Sequence, residues 1–133
     1  MANRSLNRAT LLGNVGNTPE LRHTPQGIPV TSIRLATHST SRDKSGELTE
    51  VTEWHNIVFW RDLAQKAVNL LQPNSKVYIE GPLKTRKYER EGSFRFITEI
   101  VAETMIVIEN RRKKEDDEET NFEDEPHFDF DFE

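Results

Sequence analysis

The strongest pattern in the chain is a run of alternating positions that ends in two tryptophans. Residues 52–61 read Thr-Glu-Trp-His-Asn-Ile-Val-Phe-Trp-Arg. β-Branched and aromatic side chains dominate the run, which predicts a strand. Residues of equal parity share one face of a strand. Trp54, Asn56, Val58 and Trp60 then point one way, and His55, Ile57 and Phe59 the other. Six residues at ~3.3 Å each set the two indoles roughly 20 Å apart along that face. One face suits a core or a subunit contact. The other carries two flat rings and an amide, which suits stacking on something planar.

The same reading extends along the chain. Residues 6–15 predict a first strand, bent where Gly13 and Gly16 interrupt it. Turns at 18–20 and 25–27 flank a short extended piece at 21–24. Residues 28–40 form a strand with Ile33 and Leu35 inward, and the polar segment 41–48 is a hairpin tip. The tryptophan strand returns antiparallel to it. Residues 62–71 predict the one helix: Leu63, Ala67, Leu70 and Leu71 recur at helical spacing beside Ala64 and Val68. Asp62 caps or favours its start and Pro73 stops its end. Residues 75–88 form a strand bent at Gly81-Pro82, with Val77, Ile79, Gly81 and Leu83 on one face and Lys84, Arg86 and Tyr88 on the other. After a tip at 89–92, residues 93–108 close the series, with Phe94, Phe96, Ile100, Ile106 and Ile108 of one parity and Ile97, Val101 and Val107 of the other. Five long strands, with one short helix between the third and fourth, predict an all-β Greek-key barrel of the OB type.

Charge divides this picture in two. Residues 1–109 carry 14 Lys/Arg and 12 Asp/Glu, a net of +2, and the basic knot 110–114 adds +4. Residues 115–133 hold 11 acids and no Lys or Arg, so the overall −5 hides a mildly basic domain and a strongly acidic tail. The expected organisation is a barrel over 1–109 and a disordered tail over 110–133. The absence of cysteine excludes disulfides and thiolate zinc sites and agrees with a reducing compartment. No apolar run reaches the ~20 residues of a membrane span, and the first residues lack a signal-peptide hydrophobic region. These features lead to the expectation of a cytoplasmic, nucleoid-associated protein with no membrane contact.

Several stretches in order resemble the bacterial-type single-stranded DNA-binding proteins. They are Leu12-Gly13-Asn14-Val15-Gly16 with Pro19-Glu20, then Glu53-Trp54-His55, then residues 77–83 (Val-Tyr-Ile-Glu-Gly-Pro-Leu) and Thr85-Arg86-Lys87-Tyr88. The resemblance covers residues 4–109 and implies an OB fold, assembled as a homotetramer that wraps single-stranded DNA. It implies base stacking at Trp54, Trp60 and Tyr88 and a subunit-interface role for His55. A further stacking tryptophan of many members falls at Ser41 here, a departure that leaves more of the stacking to the other rings. It also implies that the acidic-aromatic end of the tail recruits replication, recombination and repair proteins. The tip here departs from the common Pro-Phe ending and finishes with Glu133 after Phe132.

The residue types fit that chemistry on their own terms. Stacking on aromatics binds bases without reading sequence, and Lys or Arg must track the phosphates, which makes binding salt-dependent. Lys84, Arg86, Lys87 and Arg90 interleave with Tyr88, and Arg4, Arg8, Arg34 and Lys44 are further candidates. From periodicity alone the two tryptophans fit a core equally well. In the tail, Phe128, Asp129, Phe130, Asp131 and Phe132 alternate ring and acid, a pattern suited to an apolar pocket with a basic rim. His23, His38, His55 and His127 have no ligand-like spacing, no nucleophile triad or phosphate loop is present, and the Gly13/Gly16 pair reads as a bend, so no metal, cofactor or catalytic residue is expected. The expected function is non-enzymatic, sequence-tolerant binding of single-stranded DNA. The alternative is an OB-fold protein–protein adaptor acting through the tail. Preference for DNA over RNA is open.

Overall fold

The computed structural model describes residues 4–110. The basic knot beyond Asn110 and the acidic tail, including Phe128, Asp129, Phe130, Asp131 and Phe132, lie outside the described residues. The elements run β1 (Ala9–Val15), β2 (Arg22–His23), β3 (Pro29–Arg42), β4 (Leu48–Trp60), α1 (Asp62–Leu70), β5 (Lys76–Gly81), β6 (Leu83–Arg90), β7 (Ser93–Val101) and β8 (Thr104–Glu109). The five expected long strands are present, two of them broken. Pro82 divides the fourth into β5 and β6, and Ala102-Glu103 divides the fifth into β7 and β8.

These breaks close the barrel. β1 pairs antiparallel with β5 and, through Asn14 and Val15, with β3. β3 pairs with β4 over thirteen registered positions from Val30↔Trp60 to Arg42↔Leu48. β4 meets β7 in parallel at Ile57↔Ile100 and Val58↔Val101, and β8 meets β5. At the junction the Ala102 amide donates to the Val58 carbonyl at 2.9 Å, and the Glu103 amide donates to the Glu80 carbonyl at 2.9 Å. One peptide unit thus ties the β4 wall to the β5 wall. The approach is so close that a Cβ on Gly81 would strike the Val101 carbonyl oxygen. Gly13 likewise lies against the Ala36 carbonyl oxygen, where β1 passes from one neighbour to the other. The bend read at Gly13 and Gly16 is therefore a barrel corner.

Alternation places the core. Val15, Ile33, Leu35, Ile57, Phe59, Val77 and Ile79 are buried in one cluster that Ala64, Ala67 and Leu71 of the helix segment join. The helix differs from expectation in two ways. Its N-cap is Arg61 at φ 59°, without a side-chain cap, so Asp62 is the first helical residue and favours the start by its charge alone. Its buried stripe is Ala64 and Ala67 with Leu71, while Leu70 is exposed. Small residues let the helix lie close against β3 and β4.

Both hairpins run further than the sequence indicates. β3 and β4 continue to Arg42 and Leu48, and the five-residue tip is braced by Asp43, whose carboxylate accepts from the Ser45 and Glu47 amides and the Ser45 hydroxyl. β6 and β7 turn through Glu91 and Gly92, both at positive φ, as a tight hairpin requires. The parity of the last strand also splits. Ile100 is buried, but Phe94 and Phe96 are exposed, and beyond the break Met105 is buried while Ile106 and Ile108 face outward.

The closure generates a prediction. Gly81→Ala forces a methyl group into backbone and should lower stability by about 1–3 kcal/mol, read as a fall in Tm. An unchanged Tm would mean that the closure has room to spare.

Candidate nucleic-acid interface

The β3–β4 ladder sets the site's first wall. On its outer face Trp54, Asn56, Val58 and Trp60 stand opposite Ala36, Arg34, Ser32 and Val30. Residues directly opposite hold their Cβ atoms ~4.5–5.5 Å apart, so Arg34 and Asn56 lie between the two tryptophans. Trp60 is half-buried against Val30 and Val58. Trp54 keeps 37% of its surface open to solvent, and its indole lies flat enough on Gly16 that a Cβ there would come within 2.5 Å of Cζ3. The Gly16 amide donates to the Arg34 carbonyl at 2.8 Å, and the Arg34 amide donates to Asn17 Oδ1 at 2.7 Å. The segment after β1 therefore backs the ring. The Asn56 Oδ1 atom is buried without a hydrogen-bond partner among the described residues.

The β6–β7 hairpin supplies the second wall. Asn56 and Glu99 each stand two residues before the paired Val58 and Val101, so the outer face continues from β4 onto β7. On that face Lys84, Arg86 and Tyr88 stand opposite Glu99, Ile97 and Arg95. Arg86 Nε donates to Glu99 Oε1 at 2.7 Å, with side-chain exposures of only 9% and 6%. Burial raises the Glu99 pKa, and the Arg86 guanidinium works against that rise. Arg86 is thus engaged with the hairpin itself, beside Tyr88, which is half-buried. Lys84 is exposed next to the pair.

Other expected residues fall elsewhere. Lys87 is on the reverse face of the hairpin, its ammonium 3.9 Å from the centre of the Phe94 ring. Arg8 pairs with Glu80 at 3.2 Å on the β1–β5 wall, and Arg4 is exposed ahead of β1. On the Arg8 wall Glu80 also accepts from the Tyr78 hydroxyl at 2.7 Å, which raises the Tyr78 pKa. Tyr78 is registered with Leu12 on one side and Ile106 on the other, and both of these are half exposed. His55 Nε2 shares a 2.8 Å hydrogen bond with Thr37 Oγ1 at the inner edge of the β3–β4 ladder. Ser41 lies on the β3–β4 hairpin, registered with Thr49 and of opposite parity to Arg34. Sequence reasoning passed over Phe94 and Phe96, which it assigned by parity to the core side. It also passed over Gly16 and Glu99, whose partners come from other strands. No group of His, Asp or Glu able to hold a metal occurs among the described residues, and no described helix is long and apolar enough to cross a membrane.

Comparison with known proteins agrees with this arrangement. The model of the single-strand binding protein family matches residues 6–110. A Plasmodium falciparum SSB, solved in complex with ssDNA, superposes with a TM-score of 0.74 at 32% identity, over 82% of this chain and 100% of that one. A deletion mutant of the single-stranded DNA-binding protein from Thermus aquaticus gives 0.70 at 28% identity, over 80% of this chain and 52% of that one. With its OB barrel and a family match that spans the barrel from end to end, the chain belongs to the single-strand binding protein family.

Proposed function

We propose that the protein binds single-stranded DNA without reading its sequence, as a non-enzymatic partner of DNA replication, recombination and repair. The observation that carries this reading is the open Trp54 ring on an outer face shared with Arg34, Trp60 and the Tyr88 strand. Unpaired bases stack on such rings for about 1–3 kcal/mol each. Arg34 and Lys84 neutralise phosphates along the same face, and Arg4 and Arg8 extend the path at the N-terminal side. Arg86 works through Glu99 to hold the strand that carries Tyr88. The likeness to an SSB solved with ssDNA supports the same ligand.

The assembly we propose is a homotetramer, with His55 at a subunit contact. Supporting it, Leu12, Ile106 and Ile108 are each at least half exposed on the β1–β5–β8 wall, an apolar surface that packing between subunits would cover. The acidic tail, with Phe128, Asp129, Phe130, Asp131 and Phe132, recruits partner enzymes and competes with DNA for the basic face, since both are polyanions. A cytoplasmic, nucleoid-associated location follows from that role.

Oligo-dT should quench the tryptophan fluorescence, with affinity falling as salt rises; no quenching and no binding at low salt would sink the proposal. Trp54→Ala and Trp60→Ala should each weaken binding by roughly 1–3 kcal/mol, and unchanged affinity in both would remove the stacking assignment. Native mass measurement should give four chains; a monomer at micromolar concentration would refute the assembly. Deletion of residues 115–133 should keep or raise oligo-dT affinity, whereas a loss would contradict the competition between tail and DNA.

A further inference from the structure

The DNA-facing surface described above uses one side of the β6–β7 hairpin. Its reverse side has the same chemistry and no assigned role. There the registered pairs run Glu89↔Phe94, Lys87↔Phe96, Thr85↔Thr98 and Leu83↔Ile100. Ile100 is buried, but the hairpin outruns the barrel, and exposure climbs to 64% at Phe94 and 72% at Phe96. Two rings in water on a strand that continues the core's parity have no packing reason to be aromatic. Lys87 holds its ammonium 3.9 Å from the Phe94 ring centre, so a cation already attends one ring.

We propose that Phe94 and Phe96 form a second stacking site for unpaired bases of single-stranded DNA, with Lys87 meeting the adjoining phosphate. This rests on the single-stranded DNA-binding reading above and extends the ligand's path around the hairpin. Two residues along a strand separate the rings by about 6.8 Å. Stacked bases repeat at about 3.4 Å, so the separation admits one base between the rings. Charge selects the occupant. Residues 83–99 carry Lys84, Arg86, Lys87, Arg90 and Arg95 against Glu89, Glu91 and Glu99, a net of +2. A second copy of the same hairpin would bring like charge to like charge, whereas a nucleic acid brings rings to stack and phosphates to neutralise.

The test uses the full chain and oligo-dT of increasing length, followed by Trp54 and Trp60 fluorescence. Two double variants are compared, F94A/F96A and F94L/F96L; both positions are exposed, so neither touches the core. The expected result is unchanged affinity for the shortest oligonucleotide that saturates the quench and a loss of roughly tenfold or more for longer ones, in the leucine variant as well as the alanine variant. Wild-type affinity at every length in both variants overturns the proposal. Full recovery by leucine also overturns it, because a general apolar contact would then suffice. So does a smaller solution mass with DNA affinity intact, which makes the face a contact between copies. Absence of quenching in the wild-type protein is a different failure: it removes the DNA-binding reading on which the proposal stands.

Discussion

The barrel depends on one close approach of backbone to backbone. Where Gly81 meets the Val101 carbonyl, there is no space for a side chain, and the next two amides donate to opposite walls. The parallel contact between β4 and β7 is only two residues long, so it gains little from its own ladder. It persists because the antiparallel ladders on either side hold its ends. This junction also sets how the β6–β7 hairpin leaves the barrel. The angle between the Trp54 wall and the Tyr88 wall is therefore decided by a glycine that touches neither.

The site is held in place by residues that make no claim on a ligand. Trp54 rests on Gly16, and Gly16 is fixed by the Arg34 carbonyl. Three segments from β1, β3 and β4 thus converge on one ring. A ring positioned in advance loses little freedom when something stacks on it. The Arg86–Glu99 pair does the corresponding work on the hairpin. An ion pair this well covered costs desolvation on both partners, and its contribution is geometric: it locks β6 to β7 beneath Tyr88. Near these two anchors the surface is rigid, while Lys84 remains a solvated cation able to follow a moving phosphate.

Period-two alternation made the core legible, because each barrel strand has one face on the interior. Ile33 with Leu35, Ile57 with Phe59 and Val77 with Ile79 are buried as their parity requires. Parity reports the side of a strand and says nothing of whether a core lies beneath it. Phe94 and Phe96 share Ile100's side, yet the hairpin carries them past the barrel's end. Parity also fails across an irregular step, as at Ala102-Glu103, after which Met105 replaces Ile106 as the inward residue. In the helix, spacing alone favours the leucines, whereas close packing against a sheet favours Ala64 and Ala67. The aromatic and basic residues of the site were legible by type. Their partners were not, because Arg8 with Glu80 and Arg86 with Glu99 meet through strand pairing that no local pattern announces.

The register of the first strand has a consequence for synthesis. Ala9 pairs with Gly81, and only Asn14 and Val15 of β1 reach β3. During translation the β3–β4 hairpin can form as soon as Trp60 has emerged, but most of β1 must wait for β5. At about 5–20 residues per second, the 72 residues between Ala9 and Gly81 take roughly 4–14 s to appear. For those seconds Leu11, Leu12 and Val15 belong to a strand whose edge is unpaired, in the state most open to pairing with a neighbouring nascent chain.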